Sequence, residues 1–226
     1  MAERGAARRD PLSRETVVRG AVTLGDIAGI KSVSMRRLGE ELGVVPMALY
    51  KHVANKEELL DGMIDLVFSE VEFPSSGTHW KTAMRQRARS MREALLRHRW
   101  AIGLMESRTK PGPANLEHHN AVLACLRENG FSFRMALHAY SAMDSYIYGS
   151  LLQQQNLPFE TPEESVELAG IMLPAAHSDA YPYLAEVVSE LSKSGYDYRK
   201  EFEFGLRLVL DAIQRFDSRK RQRSGT

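Results

Sequence analysis

The stretch KSVSMRRLGEELGVVPMALYKHVANK, residues 31–56, constrains this chain more than any other: two short apolar-periodic segments meet across a single glycine. Ser34 can cap a helix running from about Met35 to Leu42, with Leu38 and Leu42 four apart on its buried face. Gly43 follows the last periodic residue, where a left-handed backbone would cost another residue roughly 1 kcal/mol or more. Val44 and Val45 lead to Pro46, which suits the start of a second helix because the first turn needs no N–H bond. From Met47 to about Val53 that helix turns Leu49 and Val53 inward and leaves Met47, Ala48, Tyr50 and Lys51 mostly outward. The pattern is that of a helix-turn-helix. An α-helix of this size fits the DNA major groove, where its first turns reach base edges while flanking cations hold phosphates.

Overall charge adds little, since the 226 residues carry a net charge of only +1. The DNA reading rests on the local balance between residues 31 and 56, where Lys31, Arg36, Arg37, Lys51 and Lys56 face only Glu40 and Glu41.

The wording of this segment closely resembles the DNA-binding domain of the tetracycline-repressor (TetR) family. The matching residues are Arg36, Leu38, Leu42, Gly43, Val44, Leu49, Tyr50, His52, Val53, Asn55, Lys56, Leu59, Leu60 and Asp61, within a resemblance covering about residues 12–72. It implies that Arg36 can reach a guanine, that Pro46, Met47, Ala48 and Lys51 face the groove, and that Tyr50, His52 and Lys56 contact phosphate. Met47 and Ala48 offer only apolar contacts, suited to a thymine methyl, which leaves most polar readout to Arg36 and Lys51. Two alternatives stay open: Arg36 as a merely solvated side chain, and His52 as a histidine packed at a helix end, where its cationic form suits the dipole.

The flanks extend the same domain. Residues 1–11 read as a polar, Arg-rich arm, either solvated or touching the minor groove. Ser13 caps a first helix in which Val17, Ala21, Leu24 and Ala28 form a stripe, with Leu12 placed to pack on Val17 and Gly29 as the stop. Asn55 with Glu58 opens a fourth helix bearing Leu59, Met63, Leu66 and Val67. The run Pro74, Ser75, Ser76, Gly77 marks a boundary between a DNA-binding domain, 12–72, and a second domain, 78–217.

No alternating strand pattern follows Thr78, so the whole chain reads as all-α. Helices are expected over about 79–99, 101–106, 113–129, 132–155, from Pro162 to a stop at Pro174, 182–191 and 198–216, with the basic RKRQR end as a solvated tail. Two of them are apolar on more than one face and must pack on two sides. In one, Met135, Tyr140, Met143, Ile147 and Leu151 line one side; in the other, Phe202, Leu206, Val209, Ile213 and Phe216 do, with Phe204, Leu208 and Leu210 outside the stripe. Both can be buried core helices. The resemblance implies that they pair with a second subunit as a four-helix bundle, which assigns Ile147, Leu151, Phe202, Leu206, Val209 and Ile213 to a homodimer interface. DNA reading points the same way, since two heads related by symmetry span half-sites about 34 Å apart.

Control of DNA binding falls to the second domain. Met84, Met91, Trp100, Met105, Leu123, Tyr140, Met143 and Tyr146 are candidates to line a cavity for an apolar or aromatic molecule, with Asp144 as an acid inside it; each can equally be core. The second half also loosely resembles tetracycline-binding repressors, through Arg92–Arg99, Asn129–Ser132 and Phe202–Leu206. Where that family holds a magnesium–drug complex with a histidine and a glutamate, this chain offers Glu106 and Gln153. No metal site or cofactor is expected: adjacent His118 and His119 point ~100° apart on a helix and seldom share an ion. Cys125 is alone and cannot form an internal disulfide. No nucleophile elbow, zinc-protease motif or phosphate loop is present, so an enzyme is not expected.

The expectation is a cytoplasmic, homodimeric, ligand-responsive repressor whose partners are a double-stranded DNA operator, a small-molecule effector and no membrane. An all-α protein-interaction module, and a small enzyme acting on an aromatic compound, are the alternatives.

Overall fold

The computed structural model describes residues 12–74, 77–105, 107–176 and 180–224, without the side chains of 173–176 and 217–224. The expected N-terminal arm, Ser75, Ser76 and Glu106 lie outside the described residues. Among the described residues every regular element is helical. The chain divides into two compact units, residues 1–132 and 133–226, and the boundary expected near Pro74 falls inside the first.

The first unit contains α1 (Arg14–Ala28), a 3-10 turn (Ile30–Ser32), α2 (Met35–Leu42), α3 (Pro46–Leu49), α4 (Lys56–Ser69), α5 (Trp80–Arg97), a second 3-10 turn (Arg99–Ala101), α6 (Ile102–Met105) and α7 (Pro113–Glu128). Local chemistry sets the helix starts. The Ser13 hydroxyl accepts from the Thr16 N–H at 3.1 Å. Asn55 Oδ1 accepts from the Glu58 N–H at 2.9 Å, and the Glu58 carboxylate returns to the Ala54 N–H at 2.7 Å, one residue further back than a capping box usually reaches. Gly29 ends α1 with φ 76°.

One core holds α1 to α4 together: Val17, Ala21 and Leu24 meet Leu38, Leu49, Val53, Leu59 and Met63, with Leu12 packed at the edge. Each large side chain buried there stabilises the domain by roughly 1.5–3 kcal/mol. The other side of α4 reaches α7, where the Phe68 ring lies 5.4 Å from His118. Further along, Trp80 at the start of α5 meets Phe131 edge-on at 5.0 Å.

The second unit contains α8 (Phe133–Asn156), α9 (Pro162–Ala176), α10 (Pro182–Ser194) and α11 (Tyr198–Ser224). Thr161 Oγ1 caps the Glu164 N–H at 3.2 Å, as the sequence implies. Two ends differ from expectation. α9 continues two residues past Pro174, because a proline forfeits one N–H bond and bends a helix without having to stop it. α11 runs to Ser224 rather than ending near Phe216, so the basic end is helical; Arg, Lys and Gln are good helix formers, and cations suit a helix C-terminus.

α8 and α11 pack on each other within the chain. The Tyr146 hydroxyl donates to the Phe202 carbonyl at 2.8 Å, in space that a side chain at Gly205 would fill. Of the residues assigned to a dimer interface, Ile147, Leu151, Phe202, Leu206 and Ile213 are thus enclosed against the chain's own helices, and Val209 stays partly open. Exposed apolar residues include Phe204 (51%) and Leu208 (55%) on α11, which lie outside the stripe, Phe216 at the end of the stripe, and Leu152 (51%) on α8, whereas Leu210, also outside the stripe, is fully buried.

Candidate nucleic-acid interface

The reading head is built by short-range chemistry. Ser34 Oγ caps α2 by accepting from the Arg37 N–H at 3.3 Å. At the other end Gly43 takes φ 67°, ψ 35°, and the Val44 N–H returns to the Gly39 carbonyl at 2.9 Å, closing a Schellman turn. Pro46 then begins α3. This helix is shorter than expected: it ends at Leu49, and the chain continues through tighter i→i+3 contacts, Lys51 N–H to Ala48 O at 3.4 Å and His52 N–H to Leu49 O at 2.9 Å. Leu49 and Val53 are both anchored in the core, and Asn55 must already be extended to cap α4, so the chain between them tightens.

Arg36, Pro46, Met47, Tyr50, Lys51 and Lys56 are exposed, whereas Ala48 and His52 are half-buried. Arg36 carries an interaction the sequence reading omitted: its Nη1 donates to Glu40 at 2.7 Å. Both side chains are well exposed, and such an i,i+4 pair is worth only about 0.3–0.5 kcal/mol, little against a bidentate guanine contact of about 1–3 kcal/mol. Glu40 sits one helical turn from Arg36, a spacing visible in the sequence.

α4 carries the reading head onward through polar ties. Glu57, Asp61 and Asp65 repeat every four residues along one face. Arg108, in the loop after α6, donates from Nε to Asp61 at 2.6 Å and from Nη2 to the Glu57 carboxylate at 2.9 Å and carbonyl at 3.2 Å. Asp65 accepts the Asn115 backbone N–H at 2.9 Å, capping the first turn of α7. At the far end, Glu70 accepts from Arg97 at 2.7 Å and stands 3.2 Å from the His98 ring. Burial alone would raise the Glu70 pKa, but hydrogen bonds and charge from Arg97 and His98 outweigh it and hold the carboxyl below its usual range.

The residues expected to line an effector cavity are scattered. Met84 and Met91 are fully buried on α5, Met105 is buried on α6, and Leu123 is half-buried on α7. Trp100 faces α1 instead: its indole N–H donates to Asp26 at 2.6 Å and its ring covers Gly25. In the second unit Met143 and Asp144 are buried and Tyr140 is half-buried, all on α8. Tyr146 is committed to α11. Trp100 and Tyr146 both have their polar tips bonded to neighbouring helices. An apolar cleft of about 270 Å³ lies elsewhere, between α9 and α10, lined by Leu168, Met172, Leu184, Val188 and Leu191 and bordered by Gln153.

His118 has a definite role in the structure. Arg87 Nε donates to His118 Nε2 at 3.0 Å, and both side chains are buried. Accepting that bond requires a neutral ring, and burial together with the Arg87 charge pushes the His118 pKa down to about 3. Its nitrogen is an acceptor for Arg87, which leaves His118 and His119 poor material for a shared cation. Among the described residues no three His, Cys, Asp or Glu side chains group as metal ligands, and no helix is long and apolar enough to cross a membrane.

An all-helical chain that opens with this capped helix-turn-helix, followed by a larger helical region, has the architecture of a DNA-binding transcriptional regulator. Residues 73–216 match the family model for the tetracyclin repressor-like C-terminal domain. The chain is 30% identical over 222 residues to the HTH-type transcriptional repressor DrrR1 of Streptomyces coeruleorubidus, covering 94% of this chain and 81% of the relative. It is 34% identical over 147 residues to the class D tetracycline repressor protein of Escherichia coli, covering 64% and 67%. Among solved structures it resembles the TetR family protein ActR of Streptomyces coelicolor in complex with actinorhodin, with TM-score 0.75, 26% identity and coverage of 92% and 99%. The chain belongs to the TetR family. It is a transcriptional regulator of that family.

Proposed function

We propose that this protein is a cytoplasmic homodimeric repressor that holds a palindromic operator and leaves it when a small apolar or aromatic molecule binds the helical region. Its DNA-binding domain spans residues 12–72 and its effector and dimerisation domain 78–217. Arg36 and Lys51 supply the polar base contacts; Pro46, Met47 and Ala48 fill the groove; Tyr50, His52 and Lys56 hold phosphates. Exposed Phe204, Leu208 and Leu152 replace the enclosed stripe as the proposed contact with a second copy. Met84, Met91, Met105 and Leu123 in the first unit, and Tyr140, Met143 and Asp144 in the second, remain the candidates for sensing the effector.

The observation that carries this reading is the set of ties on α4. The helix shares its Leu59–Met63 face with the reading head, while Glu57, Asp61 and Asp65 are gripped by the loop after α6 and the start of α7. A ligand that displaces those elements moves α4 and with it the head. Preference for the displaced state by ~1–3 kcal/mol lowers operator affinity 5- to 150-fold. The test is binding of the full-length protein to duplexes from its own upstream DNA at several salt concentrations. A specific complex whose log affinity falls steeply with log salt supports the reading, and absence of sequence preference at every salt refutes it.

A further inference from the structure

Directly after α5, His98 is 6% exposed and stands between two carboxylates from different helices. Its Nδ1 lies 2.9 Å from Asp26 Oδ1 on α1, and its Nε2 lies 3.2 Å from each oxygen of Glu70 at the end of α4. Both acids have further partners. The Trp100 indole N–H donates to the same Asp26 oxygen at 2.6 Å, and Arg97 donates to Glu70 from Nε at 3.2 Å and from Nη2 at 2.7 Å. The charged groups facing the imidazole are therefore Asp26 from α1 and Glu70 from α4, with Arg97 from α5 behind Glu70. The 3-10 turn contributes the neutral Trp100, whose ring centre is 6.1 Å from that of His98, and the exposed cation Arg99.

Hydrogen-bond arithmetic fixes what this ring must carry. A neutral imidazole has one N–H and one lone pair, so between two carboxylates it satisfies one and turns a lone pair on the other. Only the doubly protonated ring donates to both, and only that form sets a positive charge between two partly desolvated negative ones. We propose that His98 is a proton-operated latch: when charged it fastens α1 and α4 to the end of α5, and when it loses a proton one of the two helices is released. α1 roofs the helix-turn-helix and α4 carries its effector ties, so the latch sets the posture of the reading head. The DNA consequence rests on the function proposed above. The consequence for the free protein does not.

The sign follows from which form makes the contacts. The doubly protonated ring that makes both contacts is the form favoured at the lower end of the range of about pH 5 to 8 in which imidazoles change charge, and the neutral ring, which keeps only one, is the form favoured at the upper end. Other histidines are common to wild type and variant, so their contributions cancel in the comparison.

The full-length protein, His98→Gln and Asp26→Asn are melted across that interval; the asparagine keeps an acceptor for Trp100 and carries the test if His98→Gln folds poorly. Wild type is expected to lose about 2–4 °C more than His98→Gln between the two ends of the interval, with Asp26→Asn in between. Parallel curves for all three overturn the latch. With upstream DNA, wild-type affinity is expected to fall about 5-fold further than that of His98→Gln over the same interval. Equal DNA curves alongside different melting curves overturn the link to the reading head. If no protein binds the DNA specifically while the melting difference stands, the latch is upheld and the DNA reading fails.

Discussion

The Asp61–Arg108 tie gives the sharpest energetic prediction, because its partners differ so much in exposure. Asp61 and Arg108 side chains are 14% and 11% exposed and meet at 2.6 Å, whereas Glu57, Arg108's second carboxylate, is 69% exposed. Solvent screens the outer pair, so Glu57→Gln should cost at most about 0.5 kcal/mol. Asp61→Ala strips the inner acceptor from an enclosed guanidinium. A hydrogen bond to a charged group is worth about 1.5–3 kcal/mol, and Glu57 still neutralises part of the charge, so the expected loss is about 2–3 kcal/mol. Asp61→Asn keeps an oxygen acceptor but not the charge and should fall between, at about 1–2 kcal/mol. Urea unfolding of the full-length protein at fixed concentration reads all three as shifts in midpoint at constant slope. In the double variant Asp61→Ala with Arg108→Ala, the losses should be less than additive by at least 1 kcal/mol, since neither partner is left buried alone. A Glu57→Gln loss equal to that of Asp61→Ala, or strict additivity, would refute the assignment of Asp61 as the principal anchor.

Three other outcomes are expected. Arg36→Ala and Lys51→Ala should narrow the affinity gap between operator and random DNA, whereas Lys56→Ala should weaken both alike and reduce the salt slope by about 1; the same behaviour from all three would remove the division between base and phosphate contacts. Phe204→Asp with Leu208→Asp should give folded monomers by light scattering, while Leu206→Asp, placed in the core between α8 and α11, should unfold the second unit; a dimer that survives the exposed pair of substitutions puts the interface elsewhere. His118 has a folded pKa of about 3 against 6.5 when free, so the stability it confers is complete above 6.5 and drains away as pH falls toward 3. His118→Gln should flatten that acid limb in pH-dependent melting, and an unchanged limb would mean that the ring is not held neutral.

What the sequence reveals here is governed by range. Ser13, Ser34, Asn55 and Thr161 were legible as caps because each acts on an N–H three residues away, and Gly43 was legible because only glycine takes its backbone conformation cheaply. Asp61 was visible as part of a motif without a purpose, since Arg108 lies 47 residues away. His98 stood in the Arg92–Arg99 resemblance with no sign of its role, its partners being 72 and 28 residues distant on separate helices. Periodicity separated the faces of α11 only in part, since Leu210 outside the stripe is buried and Phe216 within it is exposed, and it carried no label for which face meets the chain's own α8. The same limit holds for Trp100 and Tyr146: an aromatic ring with a polar tip suits a ligand and a helix neighbour equally, and only the fold showed Asp26 and the Phe202 carbonyl as partners of those tips.

The arrangement of α4 explains why such long-range polar contacts accumulate on this one helix. Its apolar residues Leu59 and Met63 belong to the reading-head core, which is close-packed and resists sliding. Its acids at 57, 61, 65 and 70 are held by three other elements: the loop after α6, the start of α7, and the end of α5. Apolar packing fixes a helix to whatever it moves with, whereas directional charge contacts can be made in one posture and broken in another for a few kcal/mol. A helix packed into the head, and tied to the body by charge contacts beside the Phe68 packing, can travel with the head once those contacts break, which is the asymmetry a DNA-binding switch requires. Had the acids been alanines, α4 would still fold and still carry the head, but displacement of α7 would reach it only through Phe68 and its neighbours.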